Sequence, residues 1–288
     1  MKHVLPKTSR PSLRHMFTEG RAILELGAMG ASLPLLMRAP RGDGHPVMVL
    51  PGFMASDIST KPLRSFLARK GYQSKGWGLG RNFGTHIVGG QQVLSDELLD
   101  KVIELSVIHD AKVSLVGWSL GGILAREIAR VIPDCVRQVI TLGSPFNGPS
   151  GSAAPVEGLF ELFNGNLAQG NPEIMKNMLL PPPVPTSALY SKTDGIAHWK
   201  ACLHHSFGDH TEAENIQVRG SHSGLGHNPQ VVWIVANRLA QSENNWLPYN
   251  KPDIQSSFNS SLKVVKGVCL RSVETIKQKN FNLPPSAH

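Results

Sequence analysis

Ser119, Asp194 and His222 are the three side chains of this sequence whose types and settings could together make a nucleophile. A serine hydroxyl reacts poorly near neutral pH, so it needs a histidine to take its proton and an acid to orient that histidine. Ser119 sits in Gly117-Trp118-Ser119-Leu120-Gly121-Gly122, between glycines and at the point where an apolar run changes to helical spacing. A serine on such a turn is held in a strained backbone conformation that pushes its hydroxyl out of the sheet. Asp194 lies in Ser191-Lys192-Thr193-Asp194-Gly195, and His222 in Arg219-Gly220-Ser221-His222-Ser223-Gly224. Each loop follows a run that reads as a strand, so both groups fall at carboxyl strand ends, on the side where Ser119 emerges. Negative charge developing on a substrate oxygen requires backbone donors as well. The amide of Leu120, directly after the serine, and that of Phe53, in Pro51-Gly52-Phe53-Met54, are the expected pair.

Other titratable groups compete for these roles. His198, His204, His205 and His210 fall in or near a helical stretch after Asp194 and read as surface or supporting groups, while Asp209 precedes its strand, away from the site. His227 shares the loop of His222 but abuts the helix start at Asn228-Pro229, so His222 is the expected base.

The elements that must position these groups alternate between strand and helix. Strands are expected at 47–51, 73–79, 112–116, 138–142, 187–190 and 215–218, and the helices at 61–70, from an N-cap at Ser95 through Val107, after Ser119, and at 229–239. Leu63, Phe66 and Leu67 should face inward from the first helix, and Leu98, Val102, Leu105 and Val107 from the second. Such alternation predicts an α/β fold, a mostly parallel central sheet flanked by helices, with reactive groups at the carboxyl ends of the strands. Residues 147–185 break the rhythm with Gly, Pro and Asn around two apolar pieces, and read as a small inserted cap able to cover the site and bind an acyl chain, with a surface excursion packed on the sheet as the alternative. The expected organisation is a helical, basic extension at 1–45, a catalytic domain at 46–250 with the cap at about 147–185, and a basic extension at 251–288.

With 288 residues and 41% hydrophobic composition the chain can bury a sizeable core. Cys135, Cys202 and Cys269 are odd in number and show no C-x-x-C spacing, which points to reduced thiols and to neither a disulfide framework nor a metal site. The net charge of +8 comes from the two ends: seven Lys/Arg against three acids in 1–46, six against two in 251–288, and sixteen against sixteen between. No dense basic run or aromatic interleaving accompanies that excess, so nucleic acid is not expected as a partner, and the ends read as solvated or as a peripheral contact with membranes. The Met-Lys-His-Val-Leu start lacks a following apolar core of a signal peptide, and Ala22–Met37 is too short to span a bilayer, which favours a cytoplasmic location.

Taken together, the chain resembles the α/β-hydrolase superfamily, specifically its bacterial lipase- and carboxylesterase-like members. The matching pieces are Val-Leu-Pro-Gly-Phe at 49–53, Gly-Trp-Ser-Leu-Gly-Gly at 117–122, Leu-Gly-Ser-Pro at 142–145, Thr-Asp-Gly at 193–195 and Gly-Ser-His-Ser-Gly-Leu at 220–225. The order Ser119, Asp194, His222 is also that of serine hydrolases built on an open parallel sheet. One departure is Pro51, where many relatives carry histidine before the glycine. The resemblance implies an eight-stranded-type sheet, hydrolysis of a small-molecule or lipid ester through an acyl-serine intermediate, and no metal or organic cofactor. Acyl transfer or polyester depolymerisation by the same three residues, or a non-catalytic binding protein of this fold, are the alternatives.

Overall fold

The computed structural model describes residues 11–87, 94–147, 179–205, 207 and 212–250. Six strands form one sheet: β1 (Pro46–Leu50), β2 (Gln73–Gly76), β3 (Val113–Trp118), β4 (Val136–Leu142), β5 (Thr186–Ser191) and β6 (Ala213–Val218). Their spatial order is β2-β1-β3-β4-β5-β6 and every pairing is parallel. Among the described residues the sheet therefore has six strands, against the eight-stranded type implied by resemblance. The order reverses at β1, which pairs with β2 on one side and β3 on the other, and ligands of open parallel sheets bind outside the carboxyl ends at such a switch point.

The helices follow from the same alternation. Three short ones precede the sheet, α1 (Leu13–Phe17), α2 (Ala22–Ala31) and α3 (Leu33–Leu36); the crossovers contribute α4 (Asp57–Arg69), α5 (Asp96–His109) and α6 (Leu120–Val131), and α7 (Pro229–Leu239) follows β6. β1, β3 and β4 are mostly apolar, with Ser114, Arg137, Gln138 and Thr141 as the polar exceptions, and have almost no exposure, as strands covered on both faces do. Leu120, Ile123, Leu124 and Ile128 of α6 are fully buried in the core against β1 and β3, a burial worth about 1.5–3 kcal/mol per side chain. Pro229 opens α7, and the Asn228 side chain caps it by accepting from the amides of Gln230 and Val231.

Two boundaries and two side-chain roles differ from the sequence expectation, and each has a local cause. α4 begins at Asp57 and not at Lys61, because the Asp57 carboxylate accepts from the amides of Trp77 (3.0 Å) and Gly78 (3.1 Å) and ties the helix start to the end of β2. The same two bonds turn the chain away from the sheet, so β2 stops at Gly76 and does not run to Leu79. α5 buries Leu98, Leu99 and Val102, but its last turn overhangs the core and leaves Val107 74% exposed. Ser95 is the N-cap residue of α5 as expected, but its hydroxyl meets His86 Nδ1 at 2.9 Å and makes no capping hydrogen bond.

The insertion expected at 147–185 lies outside the described residues from 148 to 178, as does 251–288. Where the chain returns, the Leu180 carbonyl accepts from Arg126 (2.7 Å) and Arg130, anchoring it to α6. Among the described residues no helix is long and apolar enough to cross a membrane.

Candidate active site

The turn from β3 into α6 carries a strained non-glycine backbone: Ser119 has φ 53° and ψ −119°. A positive φ of this kind costs a β-carbon-bearing residue on the order of 1–3 kcal/mol and persists only where its surroundings enforce it. Here they do. A β-carbon on Gly117 would overlap the Gly121 carbonyl and the Gly122 backbone, and one on Gly121 would overlap the carbonyls of Leu50 and Pro51. The glycines on either side of the serine thus let α6 start hard against β3 and β1. The ladder continues past the strand end through Ser119 N donating to Leu142 O at 2.9 Å. Ser119 is 8% exposed at the carboxyl edge of the sheet.

Asp194 and His222 come to the same edge from β5 and β6. Ser191, the last residue of β5, pairs with Val218, the last of β6, so the two following loops leave side by side. Asp194 Oδ1 accepts from the amides of Ile196 (2.8 Å) and Ala197 (2.7 Å), and Oδ2 lies 2.7 Å from His222 Nδ1. A carboxylate can only accept here, so Nδ1 carries the proton and Nε2 is left as the basic nitrogen. Burial works against a charged His222 ring, but the Asp194 carboxylate and, further off, Glu19 outweigh it and hold the pKa above the ordinary histidine value. The elbow is joined to this pair by Trp118, whose indole N–H donates to the His222 carbonyl at 3.0 Å. Gly143, at φ 58° after β4, leaves just enough room: a β-carbon there would stand 3.2 Å from Asp194 Oδ2 and 3.3 Å from His222 Nδ1. Ser119 Oγ makes no hydrogen bond among the described residues, and bonds of this kind often tighten only when substrate is bound.

The rival groups are engaged elsewhere. His227 Nε2 donates to the Ala22 carbonyl at 2.9 Å, His205 Nε2 donates to the Lys200 carbonyl at 2.8 Å, and His204 is buried against Phe146. His198 is buried and packs on Trp199. Asp209 and His210 lie outside the described residues.

The loop after β1 approaches the elbow closely, since a β-carbon on Gly52 would stand 3.3 Å from that of Ser119. As the first residue of α6, Leu120 has an amide with no partner inside the helix. Phe53 sits in the adjoining turn, before Met54, which itself adopts φ 59°. That turn is held by a residue that sequence reasoning missed. Asn82 is fully buried; its Nδ2 donates to the Pro51 carbonyl (2.8 Å), its Oδ1 accepts from Gly84 N (3.1 Å), its carbonyl accepts from Met54 N (2.7 Å) and its amide donates to Ala55 O (2.8 Å). No motif marks it. Residues 18–25 were also missed as part of the site: their side chains bind the loops of Asp194 and His222.

A second serine–histidine–aspartate set lies near the amino ends of β1 and β3. His45 Nδ1 contacts the exposed Asp43 and its Nε2 lies 2.8 Å from Ser114 Oγ, but Ser114 is fully buried inside β3, whereas Ser119 is 8% exposed at the strand end. A cavity of about 260 Å³ opens beside Lys112, Val136, Arg137 and Thr186's neighbour Pro185, near the amino ends of β3 and β4, and none of the candidate site residues lines it. Among the described residues no group of three or more His, Cys, Asp or Glu side chains is placed to hold a metal ion.

No family model matches the chain and no curated protein is similar to it in sequence. Solved structures are similar to it in fold. The structure overlays Aspergillus fumigatus lipase B with a TM-score of 0.51 at 16% identity, over 70% of this chain and 54% of that one. The chain has the α/β-hydrolase fold. This hydrolase-fold chain thus spans about half the length of lipase B. Bacillus licheniformis lipase BlEst2 aligns at a TM-score of 0.47 and 13% identity, over 71% of this chain and 95% of that one. The thioesterase domain from the curacin biosynthetic pathway aligns at 0.45 and 16%, over 70% and 93%.

Proposed function

We propose that this α/β-hydrolase-fold protein is a serine hydrolase of carboxylic esters, with Ser119 as nucleophile, His222 as general base and acid, and Asp194 as its orienting partner. The observation that carries the reading is the strained Ser119 turn joined through Trp118 to the 2.7 Å Asp194–His222 pair. In the first half-reaction His222 Nε2 takes the Ser119 proton as Oγ attacks the ester carbonyl carbon. The oxyanion so formed accepts from the amides of Leu120 and Phe53, and the alcohol leaves with the proton from His222. Water then repeats the sequence on the acyl-serine and releases the carboxylic acid.

An apolar acyl group is favoured by the rim around the Phe53 turn. Phe53, Met54, Ile58 and Phe83 are 36%, 56%, 81% and 48% exposed, and so offer apolar surface beside the candidate oxyanion donors. The fold shared with lipase B supports the same substrate class. A nitrophenyl-ester chain-length panel on the wild type and on Ser119→Ala, His222→Ala and His227→Ala tests the proposal. Turnover should vanish in the first two and persist in the third. Activity surviving Ser119→Ala, or lost in His227→Ala and retained in His222→Ala, would overturn it.

A further inference from the structure

The segment ahead of the sheet places three charged side chains against the loops of Asp194 and His222. Glu19 lies in the 3-10 turn Thr18–Arg21 between α1 and α2, and its carboxylate is fully used. Oε1 accepts from Gly195 N (2.8 Å) and His222 N (2.9 Å), and Oε2 accepts from Ser223 N (2.9 Å). One carboxylate thus joins the residue after Asp194 to the backbone of His222 itself. Glu25, one and a half turns further on, accepts from Ser221 N (2.9 Å) and Ser221 Oγ (3.1 Å). Arg21 donates to the Thr193 carbonyl (2.6 Å) and hydroxyl (3.0 Å), and its Nε stands 3.4 Å from Glu25.

The arrangement has a physical logic. Loops that leave parallel strands carry backbone N–H groups with no ladder partner, and each must find an acceptor. Three of these amides converge on Glu19, and charge-assisted bonds of this kind are the strong ones. Burial opposes a charged Glu19, but the amides of Ser223, His222 and Gly195 prevail and keep its pKa below the ordinary glutamate value. The segment fits closely as well: Gly195 lies against the His15 carbonyl, and a β-carbon on Gly224 would overlap Glu25.

We infer that Glu19 is a positioning residue of the active site, which locks the Asp194 and His222 loops to one another through their backbone amides and so keeps the histidine ring seated on its acid. The inference rests on His222 being the base. Asp194 faces the imidazole directly and Glu19 adds a second negative charge nearby. Arg21 and Glu25 neutralise each other at the flank, His198 and Cys202 lie within range of the Asp194 charge, and His227 is turned to the Ala22 carbonyl. Glutamine at position 19 keeps the size but offers one acceptor oxygen and an NH₂ group that opposes an amide N–H.

Two readouts on Glu19→Gln and Glu19→Asp in the full chain test this. In Glu19→Gln, kcat for a short nitrophenyl ester should fall on the order of 10–100-fold with KM little changed, as expected when a reacting group is misplaced. The acid limb of kcat/KM should move to lower pH. Independently of turnover, the His222 ring, assigned by its absence in His222→Ala, should titrate by NMR at a lower pH than in the wild type. Glu19→Asp keeps the charge and should hold the limb nearer its wild-type position, also where Glu19→Gln folds poorly. A wild-type kcat in Glu19→Gln, or a lowered kcat with both titrations unmoved, would overturn the inference. Ser119→Ala in the same assay keeps the cases apart: its activity reports on the proposed chemistry, whereas the His222 titration reports on Glu19 whatever the reaction is.

Discussion

Truncating Asn82 to alanine removes two side-chain hydrogen bonds from a fully buried position and leaves the Pro51 carbonyl and the Gly84 amide without partners. Each orphaned group costs about 1–3 kcal/mol, so a stability loss of roughly 2–6 kcal/mol is expected. The effect on catalysis runs through the adjoining Phe53 turn. Loss of one oxyanion donor lowers kcat about 10²–10³-fold. The backbone bonds from Met54 N to Asn82 O and from Asn82 N to Ala55 O survive the substitution, which places the expected loss near the lower end, at about 10²-fold. The hole acts on the transition state, so KM should change little. Steady-state hydrolysis of a short nitrophenyl ester, run with urea unfolding on the same samples, measures both quantities. Lowered stability with kcat within about twofold of wild type would refute the idea that Asn82 preorganises the donor loop.

Three further outcomes follow from the same geometry. Gly143→Ala forces a β-carbon into a φ 58° position against Leu225 and within 3.3 Å of the Asp194–His222 pair, and should lower kcat about 10²-fold, read by steady-state kinetics. Because the reaction needs neutral His222 and its pKa is raised, kcat/KM should fall with decreasing pH along a limb above the ordinary 6.5, and Asp194→Asn should move that limb down while costing on the order of 10⁴-fold in kcat. The stabilising effect of that pair is fully present below the unfolded histidine pKa and is lost as pH rises through the raised folded value, which pH-dependent melting of wild type against Asp194→Asn measures. Ser114→Ala should keep wild-type ester turnover and lose only stability, since Ser114 is fully buried inside β3, away from the Ser119 turn.

Much of this layout is written locally in the chain. The elbow is legible because glycines at 117 and 121 and an apolar run before them are neighbours in sequence, and the strain at Ser119 follows from the same few residues. Asp194 and His222 are legible because each directly follows a strand, and parallel strands put their ends on one side. Glu19, Glu25 and Asn82 are not, and for one reason. The long-range partners of their side chains are backbone amides and carbonyls 31 to 204 residues away, and a backbone group leaves no signature in residue type. A glutamate beside a short helix reads as a solvated face until the fold brings an amide to it. The end of β2 was hidden in the same way, since Asp57 reaches it across twenty residues.

The central claim is that Ser119 attacks and carries the acyl group. Labelling the full chain with a fluorophosphonate, followed by intact-mass and peptide analysis, tests it most directly. One adduct on the peptide bearing Ser119, absent in Ser119→Ala and strongly slowed in His222→Ala, is the expected result. Turnover that persists in Ser119→Ala, with the adduct absent or on another residue, would contradict the account.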